Sequence, residues 1–255
     1  MNVSMNKELY ENIRKYMKNN IIPLYNNVDI GHQLSHIEYV LDRSLKFAAE
    51  WNDKHLDNPV DNIKCEIIAT YHDVGLAFVD RVYHEKKSAE ILKNDKFLQE
   101  TFSPKDIKEM AEAVEDHRGS LRRMPRSPYG MIISQADRDT DLNHLLFRTF
   151  ALRCNKQEYR EDFHLFFNDV KKHLNNKYGE NGYAWNKVWF EDKALNDFRR
   201  DVSDVLTDDK LLTDRLLNVV NKYDSKLCVR YKRTLQAEEL VSETENAFDI
   251  DYNKA

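Results

Sequence analysis

The residues of this chain best suited to chemistry are a histidine and an aspartate placed side by side, His72 and Asp73. They follow the apolar run Ile67-Ile68-Ala69, which predicts that both lie at the end of a buried helix face. A buried carboxylate costs several kcal/mol unless it is paired or coordinates a metal ion. The first hypothesis is therefore that His72 and Asp73 are metal ligands.

Further His and Asp side chains are predicted to project inward from other helices. His36, His117 and Asp137 each border or continue an apolar stripe at helical spacing. Taken singly, His36 is better explained as a hydrogen-bonded core histidine. Several such residues in one helical chain are hard to explain as independent accidents. In contrast, Asp139 and Asp141 fall on other faces and are expected to be solvated.

Helices must position these side chains, because the chain has only 6 Gly and 5 Pro in 255 residues. The apolar periodicity predicts three helices in the first part of the chain, over 6–25, 34–51 and 62–74. The first is expected to stop near Pro23 and to be followed by a loop at 26–31, and Gly75 is expected to end the third. Further helices are predicted to begin at His84 and, with an N-cap, at Ser103.

The C-terminal half is also predicted to be helical, from 147 to about 233, with no cluster of ligand-type residues. Trp185, Trp189 and Phe190 are expected to be core aromatics of this half. The last residues are acidic and polar and are expected to be disordered. The chain is thus predicted to have four parts: an N-terminal helix (1–27), a metal-binding domain (28–146), a C-terminal helical extension packed on it (147–235) and an acidic tail (236–255).

Composition argues against nucleic acid and membranes as partners. The formal net charge is −5, so the chain has no global basic field. No apolar run approaches about 18 residues, and residues 1–20 lack the apolar core of a signal peptide. The three cysteines, Cys65, Cys154 and Cys228, are far apart, which fits a reducing compartment. We therefore expect a cytoplasmic protein.

The order His36, His72-Asp73, Asp137 resembles the H…HD…D signature of the HD-domain metal-dependent phosphohydrolases. The segment LSHIEYVL is similar to the helix of the first ligand, IIATYHDVGL to the HD helix, and IISQADR to the helix of the last ligand. The resemblance covers about 28–142. It implies an all-α HD-domain helical bundle, a divalent metal ion held by the four signature residues, and hydrolysis of a phosphoester.

A second metal ion is also implied by part of this family, in which added histidines bind it and the HD aspartate bridges the two ions. His84 and His117 stand where such ligands could come from. The alternatives are an exposed first-turn residue for His84 and a group that hydrogen-bonds substrate phosphate for His117. The ligand set leaves the ion open among Mn, Fe, Co, Ni, Zn and Mg, and one or two ions remain open.

An anionic substrate needs cations beside the metal. Arg118 directly follows His117, and Arg138 directly follows Asp137, so both are candidates, with Arg118 the first choice. The loop that carries Arg122, Arg123 and Arg126 could contribute as well, or could be an ordinary solvated loop.

Residues 74–79 contain no acid, although the nucleoside-monophosphate phosphatase branch of the family carries one shortly after its HD pair. Asp80 is the first carboxylate, which weakens a mononuclear 5′-nucleotidase interpretation. The GYP motif of the cyclic-di-GMP branch is absent from the sequence. Asp80, His84 or His117 could protonate the leaving group, and we favour His117.

The resulting prediction is a metal-dependent phosphohydrolase that acts on a small phosphorylated substrate, a nucleotide or related phosphoester, through a metal-activated water. One alternative is a catalytically inactive HD module that binds a nucleotide or a protein partner, although the intact ligand set argues against it. Another is a helical interaction protein whose histidines are coincidental. Under any of these interpretations the C-terminal extension could support a homo-oligomer.

Overall fold

The computed structural model describes the backbone of residues 3–28, 34–185 and 187–249. Within these ranges the regular structure is helical and no strand occurs, which confirms the all-α prediction. Residues 29–31 of the predicted loop and 250–255 of the predicted tail lie outside the described residues. Over the same described ranges, no helix is both long enough and apolar enough to cross a membrane.

Thirteen α-helices are described, joined by short turns. They are α1 (Val3–Tyr16), α2 (Leu34–Lys54), α3 (Asn62–Tyr71), α4 (His84–Asn94), α5 (Lys96–Thr101), α6 (Pro104–Glu115), α7 (Pro128–Ala136), α8 (Leu142–Ala151), α9 (Gln157–Glu161), α10 (Phe163–Tyr178), α11 (Lys193–Thr207), α12 (Asp209–Tyr223) and α13 (Ser225–Asp249). A π-helical turn covers Met17–Ile21, and 3-10 segments cover Ile22–Asn27, Val74–Ala77 and Tyr183–Trp185.

The N-terminal segment stays helical beyond the point where proline was expected to stop it. A π-helical turn follows α1, and the 3-10 segment Ile22–Asn27 then has Pro23 in its first turn. Proline is tolerated there because the amide hydrogen it lacks would have no helical partner in any case.

The chain forms two compact units, which divide it differently from the limits expected from the sequence. The first comprises Met1–Arg138 and Tyr183–Asp192, and the second comprises Asp139–Gly182 and Lys193–Ala255. The expectation that Trp189 and Phe190 pack the C-terminal half was wrong. Phe190 is buried in the core of the first unit with its ring stacked on Phe47, and Gln135 hydrogen-bonds the backbone of this segment.

Helix α3 lies at the centre of the first unit, where it contacts α2, α4, α6 and α7. Its residues from Cys65 to Tyr71 are all buried, as expected for a helix that packs on every side. The side chain of Asp61 caps its first turn by accepting from Ile63 N at 2.9 Å, and Ser103 caps α6 in the same way. This packing places His72 and Asp73 inside the bundle.

Gly75 does not cap α3, which ends at Tyr71. Instead, it allows α4 to approach the pair His72–Asp73, here called the HD segment, closely. Its amide donates to Ser88 Oγ at 2.8 Å. A Cβ at this position would lie 2.8 Å from the backbone nitrogen of Ser88 and even closer to the carbonyl oxygen of His84. Because both atoms belong to the backbone of α4, neither can move aside cheaply.

We expect Gly75→Ala to push α4 away from the HD segment. The overpacking should destabilise the protein by about 1–3 kcal/mol and draw His84 away from Asp73. Thermal unfolding and metal content measure the two effects. Gly119→Ala is the matched control, because a Cβ there meets nothing within 4 Å. Equal behaviour of the two variants would contradict the close approach.

The second unit has a largely aromatic core that includes Phe150, Phe163 and Tyr231, all almost fully buried. Asp139, which was expected to be solvated, is buried in this unit, where it pairs with Arg148 and accepts from Tyr178 Oη. Helical periodicity could not anticipate these partners. Asp141 is exposed and caps α8.

The C-terminal helix α13 runs through Asp249, so the structure does not support disorder from residue 236 onward. Residues 236–249 include four Glu, two Ala, one Gln and one Leu, all strong helix formers. Local propensity therefore continues the helix where net acidity suggested a disordered tail.

Candidate metal centre

Four of the predicted site residues meet inside the first unit and form what we call the first group: His36, His72, Asp73 and Asp137. His36 Nε2 lies 3.1 Å from Asp137 Oδ1 and 3.2 Å from His72 Nε2. Asp73 Oδ2 lies 3.4 Å from His72 Nε2. One potential ligand atom from each residue lies within 4.8 Å of all the others, so the group could hold a metal ion.

The second group comprises Asp73, His84 and His117, and it shares Asp73 with the first. Asp73 Oδ1 lies 3.0 Å from His84 Nε2 and 3.4 Å from His117 Nε2, and these two nitrogens are 3.1 Å apart. The two oxygens of one carboxylate therefore face different groups. This arrangement suits a carboxylate that bridges two ions.

Three of the four imidazoles are held in the same way, each by a contact between Nδ1 and a backbone carbonyl oxygen three residues earlier. The pairs are His72 with Ala69 O (2.7 Å), His84 with Arg81 O (2.6 Å) and His117 with Val114 O (2.6 Å). A carbonyl oxygen can only accept, so Nδ1 carries the hydrogen. In the neutral ring the lone pair is then on Nε2, directed into the groups, as in metal sites with oriented histidine ligands.

The helix ends explain how the sequence produces this orientation. His72 follows α3 and His117 follows α6, where the last carbonyls of a helix lack intrahelical partners. An imidazole just past the last turn can donate a hydrogen bond to such a carbonyl oxygen, and this bond fixes the orientation of the ring. Local backbone geometry thus orients the Nε2 atoms of both rings toward the groups without a bound metal ion.

The carboxyl and imidazole groups of the centre strongly shift one another's pKa. Burial alone would raise the pKa of Asp73 and of Asp137, but the nearby imidazoles outweigh it and hold the pKa of both carboxyls well below the usual range. Burial alone would lower the pKa of His72, but the charges of Asp73 and Asp137 raise it well above its usual value. The centre therefore keeps its carboxylates ionised and favours positive charge between them.

Tyr25 and Glu85 lie beside the centre, and the sequence did not single them out. The buried Tyr25 donates to Thr70 O at 2.8 Å and so ties the N-terminal segment to the end of α3. Burial, followed by the charge of Asp73, raises the pKa of this tyrosine well above its usual value. Glu85 Oε2 lies 3.5 Å from His84 Nδ1. Its position directly after a candidate ligand was the only signal for it.

Arg118 forms an ion pair beside the second group. Its Nη1 lies 3.3 Å from Glu85 Oε2, so this ion pair joins the residues that directly follow His84 and His117. The Arg118 side chain is 33% exposed, which leaves the guanidinium accessible from solvent. It can therefore be held at the centre and still contact a ligand.

Three of the other candidate arginines, Arg138, Arg123 and Arg126, are bound to protein groups elsewhere. Arg138 is buried and donates to the backbone carbonyls of Ser134, Ala184 and Lys187, so the expectation that it contacts substrate phosphate was wrong. It anchors the 183–192 segment within the first unit. Arg123 and Arg126 both bind the fully buried carboxylate of Asp116, which fastens their loop to the end of α6.

The helical fold and the two connected groups define a helical domain that could hold divalent metal ions. Residues 34–140 match the family model described as HD domain, which is consistent with the HD-domain superfamily. HD domains bind divalent metals and are generally hydrolases, so the match suggests a metal-dependent phosphohydrolase. No curated protein and no solved structure matches the chain.

Proposed function

We propose that the chain is a phosphohydrolase that uses two divalent ions, bridged by Asp73, to cleave a nucleotide or related phosphoester. The observation that carries this proposal is the division of the Asp73 carboxylate, with Oδ2 toward His72 and Oδ1 toward His84. A site for one ion would not need an aspartate surrounded on both sides by histidines. The additional histidines therefore argue for a second ion.

The residues present fit such a pair of ions. His36, His72 and Asp137 would hold one ion, His84 and His117 the other, and Asp73 both. Bound ions of this kind lower the pKa of water so that it can attack phosphorus, and they offset the charge of the phosphate. Four imidazoles favour transition metals over Mg²⁺, which prefers oxygen ligands.

In this proposal His117 is a ligand and does not donate a proton to the leaving group. Its Nδ1 is taken by Val114 O, and its Nε2 faces Asp73 and His84. Both ring nitrogens therefore have fixed partners. His84 and His117 both belong to the second group, so in this proposal neither serves as the general acid.

Arg118 would bind the phosphate, with Glu85 positioning its guanidinium. We expect Arg118→Ala to lower kcat/KM for a phosphoester by about 100- to 1000-fold, the range for losing one preorganised hydrogen-bond donor. Arg118→Lys should recover part of the loss, because it keeps the charge but not the planar fork. Steady-state kinetics with fixed metal concentration measures both.

The neighbouring Arg122 provides the control for this test. It is exposed and belongs to the same loop region, so Arg122→Ala should leave kcat/KM close to that of the wild type. If Arg122→Ala lowers kcat/KM as much as Arg118→Ala does, the loss comes from the general positive charge of the loop. The assignment of Arg118 to the phosphate is then wrong.

The proposed function itself is tested by combining metal analysis with a substrate panel. We expect about two transition-metal ions per chain after loading and turnover of nucleotides with Mn²⁺, Co²⁺ or Ni²⁺. Chelation should abolish turnover, and added metal should restore it. Bound metal and bound nucleotide without turnover would instead identify an inactive binding module.

A further inference from the structure

The turn between the HD segment and α4 exposes an unusual amount of apolar surface. Phe78 is 54% exposed, and Val82 and Tyr83 are each 61% exposed. Single exposed apolar residues are ordinary, but a contiguous group of large ones commonly marks a binding site. These three fall within six consecutive positions, and the turn therefore merits a functional explanation.

An open cavity lies at this turn. Its volume is about 550 Å³, within the range of roughly 300–1,000 Å³ for small-molecule sites. Its lining combines two aromatic rings, two aliphatic side chains and one carboxylate: Leu76, Phe78, Val79, Asp80 and Tyr83. This composition suits a flat, partly apolar ligand that also carries polar groups.

Both ends of the turn are attached to the metal centre. Leu76 is three residues after Asp73, and Tyr83 is directly bonded to His84. Backbone hydrogen bonds shape the turn between them, from Val79 N to Gly75 O and from Tyr83 N to Asp80 O. Three residues span at most about 11 Å, so Leu76 in the cavity lining lies within that distance of Asp73, within reach of a ligand whose phosphate is at the metal centre.

The charge of the lining restricts what the cavity can bind. A carboxylate only accepts hydrogen bonds, so Asp80 selects a ligand with N–H donors and repels a second phosphate. Within the described residues, the Asp80 carboxylate has no side-chain hydrogen bond or ion pair. The exposed rings of Phe78 and Tyr83 offer surfaces for stacking, which every nucleobase can use.

We infer that this cavity binds the base of a nucleotide substrate, stacked on Phe78 and Tyr83, with Asp80 accepting from N–H groups on the base edge. Guanine matches best, because its N1–H and exocyclic amino group are adjacent donors for one carboxylate. This inference rests on the proposed function and assigns the substrate class as nucleotides whose base presents such donors.

The test compares two phosphoesters that differ by the base. With Mn²⁺ present, wild-type protein should hydrolyse GMP with a higher kcat/KM than ribose 5-phosphate. Phe78→Ala should lower the GMP to ribose 5-phosphate ratio by about tenfold, since one stacking surface contributes a factor of roughly 5 to 150. Leu56→Ala removes another exposed side chain, distant in sequence, and should leave the ratio unchanged.

A second variant tests the carboxylate. Asp80→Asn should lower the preference for GMP over IMP, because IMP lacks only the exocyclic amino group. Phe78 and Asp80 are both exposed, so neither variant should lower the thermal midpoint by more than a few degrees. Unchanged ratios in both folded variants would overturn the inference. A change of oligomeric state in Phe78→Ala with unchanged ratios would overturn it as well and assign the patch to a protein interface.

The same variants and substrates distinguish a failure of this inference from a failure of the proposed function. If the protein hydrolyses ribose 5-phosphate as well as GMP in all variants, the phosphohydrolase proposal stands and the base site falls. If no phosphoester is hydrolysed, calorimetric binding of GMP against ribose 5-phosphate decides. Selective GMP binding that is lost in Phe78→Ala would support the base site without catalysis, and equal binding would overturn it.

Discussion

Asp73→Asn is expected to remove both metal ions and to reduce phosphoester turnover at least about a hundredfold, because the loss of residues that merely support metal ligands already costs about 10–100-fold. An amide has one oxygen acceptor and no negative charge, so it cannot bridge two cations. Asparagine keeps the size of the side chain, which preserves the packing after α3.

The reason for so large an effect is that Asp73 is common to both groups. Its carboxylate is almost fully buried and is surrounded by four imidazoles: His36, His72, His84 and His117. No other residue belongs to both groups. Loss of its charge therefore weakens both metal positions at once.

Elemental analysis and steady-state kinetics on the same sample measure this prediction. Asp42→Asn is the matched control, because Asp42 is an exposed aspartate of α2 outside both groups. Circular dichroism should show that both variants keep their helices. Turnover by Asp73→Asn near the wild-type level would contradict the bridging role of Asp73.

His117→Gln and His36→Gln are expected to separate the two metal positions. His117 belongs only to the second group and His36 only to the first, and the two groups share Asp73. Each variant should therefore lose about one of the two ions. Glutamine approximates the size of imidazole and keeps one polar atom near the group, which limits the packing loss.

Activity should fall in both variants by about a hundredfold or more, because one ion cannot clamp both the attacking and the leaving oxygen. Metal stoichiometry should fall from about two to about one per chain. His164→Gln, at an exposed position in the second unit, should change neither quantity. Loss of both ions in His117→Gln would show that the groups are not separable, and full metal retention would show that His117 is not a ligand.

Much of the candidate centre could be anticipated from the sequence. His117 ends the apolar stripe of α6, and Asp137 follows Ile133 by one turn on α7. Such positions are readable because helical periodicity is local and 3.6 residues bring a side chain back to the same face. The structure brings these residues together with His36, His72, Asp73 and His84, and their role as ligands is the prediction that the variants above test.

Other features depended on contacts between distant parts of the chain. Arg138 directly follows a candidate ligand and was therefore expected at the substrate, yet its donors are taken by Ser134, Ala184 and Lys187. Two of these partners come from a segment that returns to the first unit after residue 182. No periodic pattern links that segment to α7.

Residue order thus sufficed for the helical class, for the starts of α2, α3, α4 and α6, and for the inward faces, because propensity, capping and periodicity act within a few residues. The split of the Asp73 oxygens, the close approach at Gly75 and the pairing of Glu85 with Arg118 were decided by tertiary packing. Each of these depends on which atoms of another helix meet a side chain. Helix packing decides which of these atoms come into contact, and the residues next to a side chain in the sequence do not determine this.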